Sequence, residues 1–202
     1  MPIKNITELI ANSEWRKANP TFEVESNIVK WANFQAKIWL EPLKYSAHTH
    51  WTEEEERNNY FGLLGEKCFE LTLIQMDIPH IYNEPLIEWS PKKPYDFKIP
   101  KIETIQVKTV DYPENDRRVL VKCEEYHNED YVLALKLLDA KPEKIKFMGY
   151  ATRKEVLETF THAKNEFPCE KAPCYWQFLN KLHSASDFFN MLREKTAFEE
   201  HH

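Results

Sequence analysis

The spacing of apolar residues near the N-terminus has the period of an amphipathic helix. Two helical patterns cover Ile6–Lys17 and Ser26–Leu40, and in the second Ile28, Trp31 and Phe34 recur every three residues. Such an apolar stripe is typical of a helix that packs on a core. We therefore expect residues 1–51 to form an N-terminal helical extension and residues 52–202 to form the core domain.

A long helix is predicted over Thr52–Met76. It opens with a capping box, in which the side chains of Thr52 and Glu55 each accept a hydrogen bond from the other residue's backbone N–H. Gly62 and Gly65 lie in its middle, where each costs about 1 kcal/mol relative to alanine. We therefore expect another segment to approach the helix closely there. Glu66 follows directly and shares a partly apolar stripe with Gly62.

After this helix the pattern changes to the period of two that is typical of β-strands. Ile81–Glu88 alternates weakly, whereas Tyr95–Ile99 and Thr104–Val110 alternate clearly. Tyr131–Leu138 is almost continuously apolar, as expected for a central strand covered on both faces. Further strands are predicted over Val119–Cys123, Lys144–Tyr150 and residues 174–178, and further helices from Thr152 and over Ser184–Arg193. The chain is therefore predicted to be an α/β protein.

Polar side chains at alternate positions of two of these strands form a candidate site. Gln106 and Lys108 point to one face of their strand, and Asp96 joins them only if it pairs with an even-numbered residue. We therefore predict a three-residue connection over residues 100–102 with Asp96 opposite Gln106, or a five-residue connection with Asp96 opposite Lys108. A β-bulge is the remaining route.

These side chains have the chemistry of a divalent-metal site. Asp96 and Gln106 offer oxygen ligands, and Mg²⁺ keeps several waters, so a sparse protein ligand set is sufficient. Gln106 and Lys108 are two residues apart on a strand, so their side chains lie about 6–7 Å apart. Lys108 would then lie beside a metal-bound water, where it orients the water and stabilises developing negative charge.

The order of these residues resembles the PD-(D/E)xK nuclease superfamily. The motifs that carry the resemblance are Gly62-x-x-Gly65-Glu66 on a helix, Pro94-Tyr95-Asp96 on a strand and Gln106-x-Lys108 on the next strand. The resemblance covers about residues 52–190. It implies a restriction-endonuclease-like α/β fold, in which helices flank a mixed central sheet.

The same resemblance implies a DNA substrate and Mg²⁺ (or Mn²⁺) as cofactor. Asp96 and Gln106 would be metal ligands, Lys108 the catalytic lysine, and Glu66 a helix acid that serves both metal binding and catalysis. The acid that is commoner at the position of Gln106 is here an amide, which leaves the site one negative charge poorer. Two functions stay open: hydrolysis of DNA phosphodiester bonds, or a DNA-binding or assembly module with weak or no catalysis.

The net charge of the chain is negative, but one segment near the candidate site is positive. The formal net charge is −6, which argues against a protein that coats nucleic acid by bulk electrostatics. Between Lys92 and Lys122, however, eight basic and five acidic residues leave a local charge of +3. The candidate DNA-contacting cations are Lys92, Lys93, Lys98, Lys101, Arg117 and Arg118. A homodimer is compatible with the sequence but is not indicated by it.

The cysteines and aromatic residues leave two alternatives open. The sequence predicts a cytoplasmic chain with no membrane partner. Its four cysteines do not have the close spacing of a disulfide framework, its start has no apolar leader, and no apolar stretch is long enough to cross a membrane. A zinc site would need His162, Cys169, Cys174 and His183, whose spacing matches no familiar zinc motif. Tyr175 and Trp176 offer rings for base stacking, although packing under the sheet is the simpler expectation.

Overall fold

The computed structural model describes residues 21–44, 53–83, 95–110, 118–123, 126, 129–140, 143–164 and 172–197. Within them, six strands form one sheet: β1 (Thr21–Glu23), β2 (Ile81–Tyr82), β3 (Phe97–Ile99), β4 (Glu103–Val110), β6 (Tyr131–Ala140) and β7 (Glu143–Thr152). Their order is β1–β7–β6–β4–β3–β2, with β4 parallel to β6 and the other pairs antiparallel. The apolar strand β6 is central, as predicted.

Three further strands of the described residues form a second sheet. It consists of β5 (Arg118–Lys122), β8 (Thr161–Ala163) and β9 (Cys174–Phe178), in the antiparallel order β5–β9–β8. The sequence predicted β5 and β9. It did not predict β8, because three residues are too few to show an alternating pattern.

Four α-helices and one short 3₁₀ helix (Leu179–Lys181) occur in the described residues. The α-helices are α1 (Ser26–Lys44), α2 (Glu53–Gln75), α3 (Arg153–Thr159) and α4 (Ala185–Ala197). The predicted capping box at Thr152 is confirmed, with reciprocal hydrogen bonds to Glu155. The first predicted helix and the Thr52 cap lie outside the described residues. None of the helices in these parts of the chain combines the length and apolarity of a membrane crossing.

The segment expected to be a helical extension also contributes to the main sheet and the core. Strand β1 pairs with β7, which adds an edge strand where only helix was predicted. Helix α1 buries Ala32 and Ala36 in the same apolar cluster as α2 and α4. The described part of residues 1–51 is therefore packed against the core domain.

The main sheet separates two apolar clusters. The larger one lies between the sheet and helices α1, α2 and α4, and it centres on Phe69. The smaller one lies between the opposite face, helix α3 and the second sheet, and includes Val121 and Val156. The structure is thus a mixed α/β fold with apolar packing on both faces of the central sheet.

The glycine prediction is confirmed at one of its two positions. A β-carbon at Gly65 would overlap the hydroxyl of Thr109 on β4, whereas one at Gly62 would have no neighbour within 4 Å. Gly65 therefore permits the close approach of α2 to β4, next to Glu66. The structure gives no packing reason for Gly62.

Candidate metal and nuclease site

Strands β3 and β4 form the hairpin that carries most of the candidate site. Ile99 lies opposite Glu103 and Phe97 opposite Ile105, which confirms the predicted three-residue connection. Lys101 in this connection has a left-handed backbone (φ 65°), and the Ile102 N–H donates to the Ile99 carbonyl at 3.0 Å. Extended by one residue, this register places Asp96 opposite Gln106.

The regular ladder nevertheless ends just before Asp96. The Asp96 N–H donates to the Ile105 carbonyl at 3.2 Å, although Ile105 is already the register partner of Phe97. Two consecutive residues facing one is the arrangement of a β-bulge. The Asp96 carboxylate (Oδ2) accepts a hydrogen bond from the Val107 N–H at 2.8 Å. It is therefore held against the backbone of β4, between the positions of Gln106 and Lys108.

Gln106 is a buried polar side chain with an unsatisfied acceptor. Its side chain lies on the face of β4 that it shares with Val132 of β6, in the direction of the smaller apolar cluster. Gln106 is 6% exposed, and its Oε1 has no hydrogen-bond partner. A buried acceptor without a partner costs about 1–3 kcal/mol. A cation or another donor at Oε1 would remove this cost.

Lys108 lies on the same face of β4 as Gln106. It is half-buried, and its register partner on β6 is Ala134. The two-residue repeat of a strand puts the two side chains about 6–7 Å apart. The sequence prediction that they share a face is confirmed.

Glu66 approaches the hairpin from the other face of the sheet. Helix α2 packs on the face of β4 that carries Ile105 and Val107. Glu66 is half-buried, and its Oε2 accepts a hydrogen bond from the Tyr82 hydroxyl at 3.0 Å. The Tyr82 ring stacks on Phe97 of β3, with centroids 4.7 Å apart and planes at 9°. Glu66 is thereby fixed near the β3 edge of the hairpin.

Tyr82 lies close to both Glu66 and Asp96. Burial raises the pKa of the Tyr82 phenol, and the negative charges of Glu66 and Asp96 raise it further. The phenol therefore stays protonated and donates, with both carboxylates close to it. The negative charge of Glu70 raises the pKa of Tyr82 as well. Glu70 forms an ion pair with Lys67, whose ammonium lies 5.7 Å from the centroid of the Tyr82 ring.

Tyr82 and Asn83 are site residues that the sequence analysis missed. The Asn83 N–H donates to the Asp96 carbonyl at 2.9 Å, and its side-chain amide donates to the Tyr95 carbonyl at 3.1 Å. They support the acidic residues from strand β2 and the residue after it. The only sequence signal was the weak alternation after Ile81, which does not indicate a contact with a helix sixteen residues earlier.

These residues fit a metal only as a mixed set of ligands. Among the described residues, no three histidine, cysteine, aspartate or glutamate side chains form a ready-made metal cluster. The predicted ligand Glu66 lies on the opposite face of β4 from Gln106 and Lys108, so the available ligand oxygens are those of the Asp96 carboxylate and the Gln106 amide. Carboxylate and amide oxygens suit Mg²⁺ or Mn²⁺, and the unsatisfied Gln106 Oε1 is the observation that favours a cation.

The described candidate cations for DNA do not lie on one element. Lys98 is exposed on β3 and Lys101 is exposed in the turn that follows. Arg118 begins β5 in the second sheet, where its guanidinium lies 5.6 Å from the centroid of the Trp176 ring. Lys92, Lys93 and Arg117 lie outside the described residues.

The alternative zinc site is not supported in the described part of the chain. Cys174 is disulfide-bonded, so its sulfur is not a thiolate ligand, and His183 binds Glu155 instead. Cys169, another residue of this proposed zinc site, lies outside the described residues. Cys68 is a buried free thiol. The disulfide departs from the expectation that all the cysteines are reduced.

No family model matches this chain, and no curated protein matches it.

Proposed function

We propose that this chain is a metal-dependent deoxyribonuclease of the PD-(D/E)xK type, with a restriction-endonuclease-like fold and Mg²⁺ or Mn²⁺ as cofactor. Asp96 and Gln106 would hold the metal, and Lys108 would act on the attacking water. Glu66 packs on the opposite face of β4 and lies outside this ligand set. When bound, the metal would polarise the scissile phosphate and lower the pKa of a coordinated water. The proposed location is the cytoplasm and the proposed partner is DNA.

One observation carries this proposal. The carboxylate of Asp96 is bound at the Val107 N–H, between Gln106, whose buried Oε1 lacks a partner, and Lys108. The Asp96 carboxylate thus lies at the backbone of β4, next to the strand positions from which Gln106 and Lys108 point to one face. This combination is what water-mediated phosphodiester hydrolysis requires, because it supplies both metal ligands and a cation for the developing negative charge.

The chain's own residues have distinct tasks in this scheme. Lys108 holds the attacking water by a hydrogen bond and stabilises negative charge that develops on the phosphate. Asp96 is fixed by the Val107 N–H, so it keeps its direction without substrate. Tyr82 fixes Glu66 in the same way from the other face.

A comparison of two lysine variants tests the proposal. Labelled linear, nicked, branched and single-stranded DNA would be incubated with each protein and Mg²⁺ or Mn²⁺, with chelator as the blank. Lys108→Ala should lower the cleavage rate by about 10²–10³-fold, as expected for loss of a charge-stabilising donor. Lys154→Ala, an exposed lysine on α3, is the matched control and should cleave like the wild type. Unchanged cleavage by Lys108→Ala would overturn the proposal.

The neutral side chain of Gln106 favours a second function, a DNA-binding or assembly module on the same fold. With an amide in place of an acid, the site attracts a metal less strongly. This function predicts that the wild type binds DNA equally well with Mg²⁺ and with chelator and cleaves none of the substrates. Metal-dependent cleavage that Lys108→Ala removes would exclude it.

A further inference from the structure

The outer face of the second sheet combines aromatic rings with positive charge. The inner face of this sheet buries Val119 and Val121 in the smaller apolar cluster. The outer face carries Trp176 and Phe178 of β9, with Leu120 opposite Trp176 and Arg118 opposite Phe178. Its side chains on β5 and β9 are Arg118, Leu120, Lys122, Cys174, Trp176 and Phe178.

One of the two rings is exposed, and the other packs partly against Leu120, Ala163 and Cys174 of the same face. Phe178 is 45% exposed and Trp176 is half-buried, and their rings form an edge-to-face pair with centroids 5.4 Å apart. The guanidinium of Arg118 lies 5.6 Å from the centroid of the Trp176 ring. Aromatic rings and an arginine side by side are the groups on which unpaired bases stack.

The charge of the three strands complements a polyanion. Their described residues include the cations Arg118 and Lys122 and no aspartate or glutamate, in a chain whose net charge is −6. Cationic side chains beside aromatic rings favour a nucleic acid over an apolar partner.

The size of the face argues against a protein partner. Three strands about 4.8 Å apart and up to five residues long cover roughly 200–250 Å², whereas a stable protein interface needs about 800 Å² on each side. A DNA duplex fits poorly too, because its bases are stacked on each other and cannot cover the rings. An unpaired strand of a few nucleotides is small enough for this face, and its bases are free to stack on the rings.

We propose that this face binds single-stranded DNA, with bases stacked on Trp176 and Phe178 and phosphates near Arg118 and Lys122. The choice of DNA rests on the proposed nuclease function. The face would hold an unpaired strand of the substrate, so the enzyme would act on DNA with single-stranded regions.

Fluorescence anisotropy with a labelled oligothymidine of about 15 nucleotides tests this binding. The measurement uses the Lys108→Ala chain in chelator, so that it does not depend on cleavage or on metal. Trp176→Ala and Phe178→Ala should each weaken binding by about tenfold. Phe34→Ala is the control, because Phe34 is a similarly exposed aromatic residue (61%) on α1, and it should bind like the parent chain.

Two further arms separate stacking from unfolding and from bulk charge. Trp176→Phe keeps a ring and should restore most of the affinity that Trp176→Ala loses. Arg118→Ala with Lys122→Ala should reduce the slope of log affinity against log salt by about 0.7 for each phosphate contact removed. Ring variants that bind like the parent chain would overturn the proposal, as would tighter binding of a duplex or of an oligouridine. Loss of cleavage in Lys108→Ala tests the nuclease function separately.

Discussion

At the scale of single residues, the candidate site depends on two side chains whose surroundings differ. Gln106 has a buried oxygen without a partner, whereas Glu66 is held by the phenol of Tyr82. The period of two in β4 was sufficient to predict that Gln106 and Lys108 share a face. The contact between Glu66 and Tyr82 could not be predicted, because it depends on how α2 packs against the sheet.

Gln106→Glu should tighten metal binding and make stability depend on metal. The variant restores a carboxylate beside Asp96, so Mg²⁺ should raise its melting temperature more than that of the wild type. At a metal concentration of about 100 times Kd the stabilisation is about 2.7 kcal/mol. In chelator the variant should be less stable than the wild type, because a second carboxylate is then buried next to that of Asp96 without a bound cation. Thermal unfolding with and without Mg²⁺ measures both effects.

Gln75→Glu, an exposed position in the last turn of α2, is the control for the added charge. It should respond to Mg²⁺ like the wild type. If Mg²⁺ stabilises Gln106→Glu no more than it stabilises Gln75→Glu, Gln106 does not face the metal.

At the scale of elements, long segments were predictable and short ones were not. Helices α1 and α2 are long enough to show a helical period, and strand β6 is a long apolar run. The structure confirms these elements and the predicted strand β7. Strands β1 and β8 have three residues each, so they depend on their sheet neighbours rather than on a local pattern. The edge position of β1 and the existence of a second sheet therefore needed the structure.

The contact between α2 and β4 predicts opposite effects for two glycine substitutions. Gly65→Ala should destabilise the protein by about 1–3 kcal/mol, because its β-carbon would overlap the Thr109 hydroxyl. Gly62→Ala meets nothing within 4 Å and should stabilise the helix by up to about 1 kcal/mol. Urea unfolding gives both values.

Thr109→Ala tests the same contact between α2 and β4 from the side of the strand. It removes the hydroxyl that Gly65→Ala would meet, so the double variant should recover part of the lost stability. A Gly65→Ala variant as stable as Gly62→Ala would show that the close approach is absent.

The start of α3 predicts a dependence of stability on pH. Partial burial would raise the pKa of Glu155, but hydrogen bonds from Thr152 and His183 outweigh it and hold this pKa below its ordinary value. A carboxylate with a lowered folded-state pKa stabilises the fold above its unfolded pKa, and the stabilisation is lost as the pH falls through the folded pKa. Glu155→Gln should therefore be less stable than the wild type at pH 7, by no more than about 1 kcal/mol because solvent still reaches the side chain, which is 34% exposed, and screens its interactions.

Urea unfolding at pH 7 and at pH 3 measures this difference. It should be smaller at pH 3, because the stabilisation falls as the pH drops towards and through the lowered pKa of the folded carboxyl. Glu158→Gln on the same helix is the control, since Glu158 is exposed and lies outside the capping box. A difference for Glu155→Gln that is equal at both pH values would contradict the assignment.

At the scale of the whole molecule, the two apolar clusters share one sheet. The backbone of β4 and β6 separates them by the thickness of a single layer, and alternate side chains of β6, such as Leu133 and Val132, belong to different clusters. Because each strand supports both faces, loss of packing on one face should also weaken the other. We therefore expect the described core to unfold as one cooperative unit.

Substitutions on the two faces should consequently lower the same unfolding transition. Phe69 is fully buried and contacts four other phenylalanine rings, so Phe69→Ala should cost about 3–5 kcal/mol. Val121 is fully buried on the opposite side, and Val121→Ala should cost about 2 kcal/mol. Phe34→Ala, at an exposed position, should change stability by less than about 0.5 kcal/mol. Urea unfolding followed by both tryptophan fluorescence and circular dichroism should give one coincident transition for every variant. If Val121→Ala instead separates a first transition from a second, the second sheet unfolds by itself and the chain has two cooperative units.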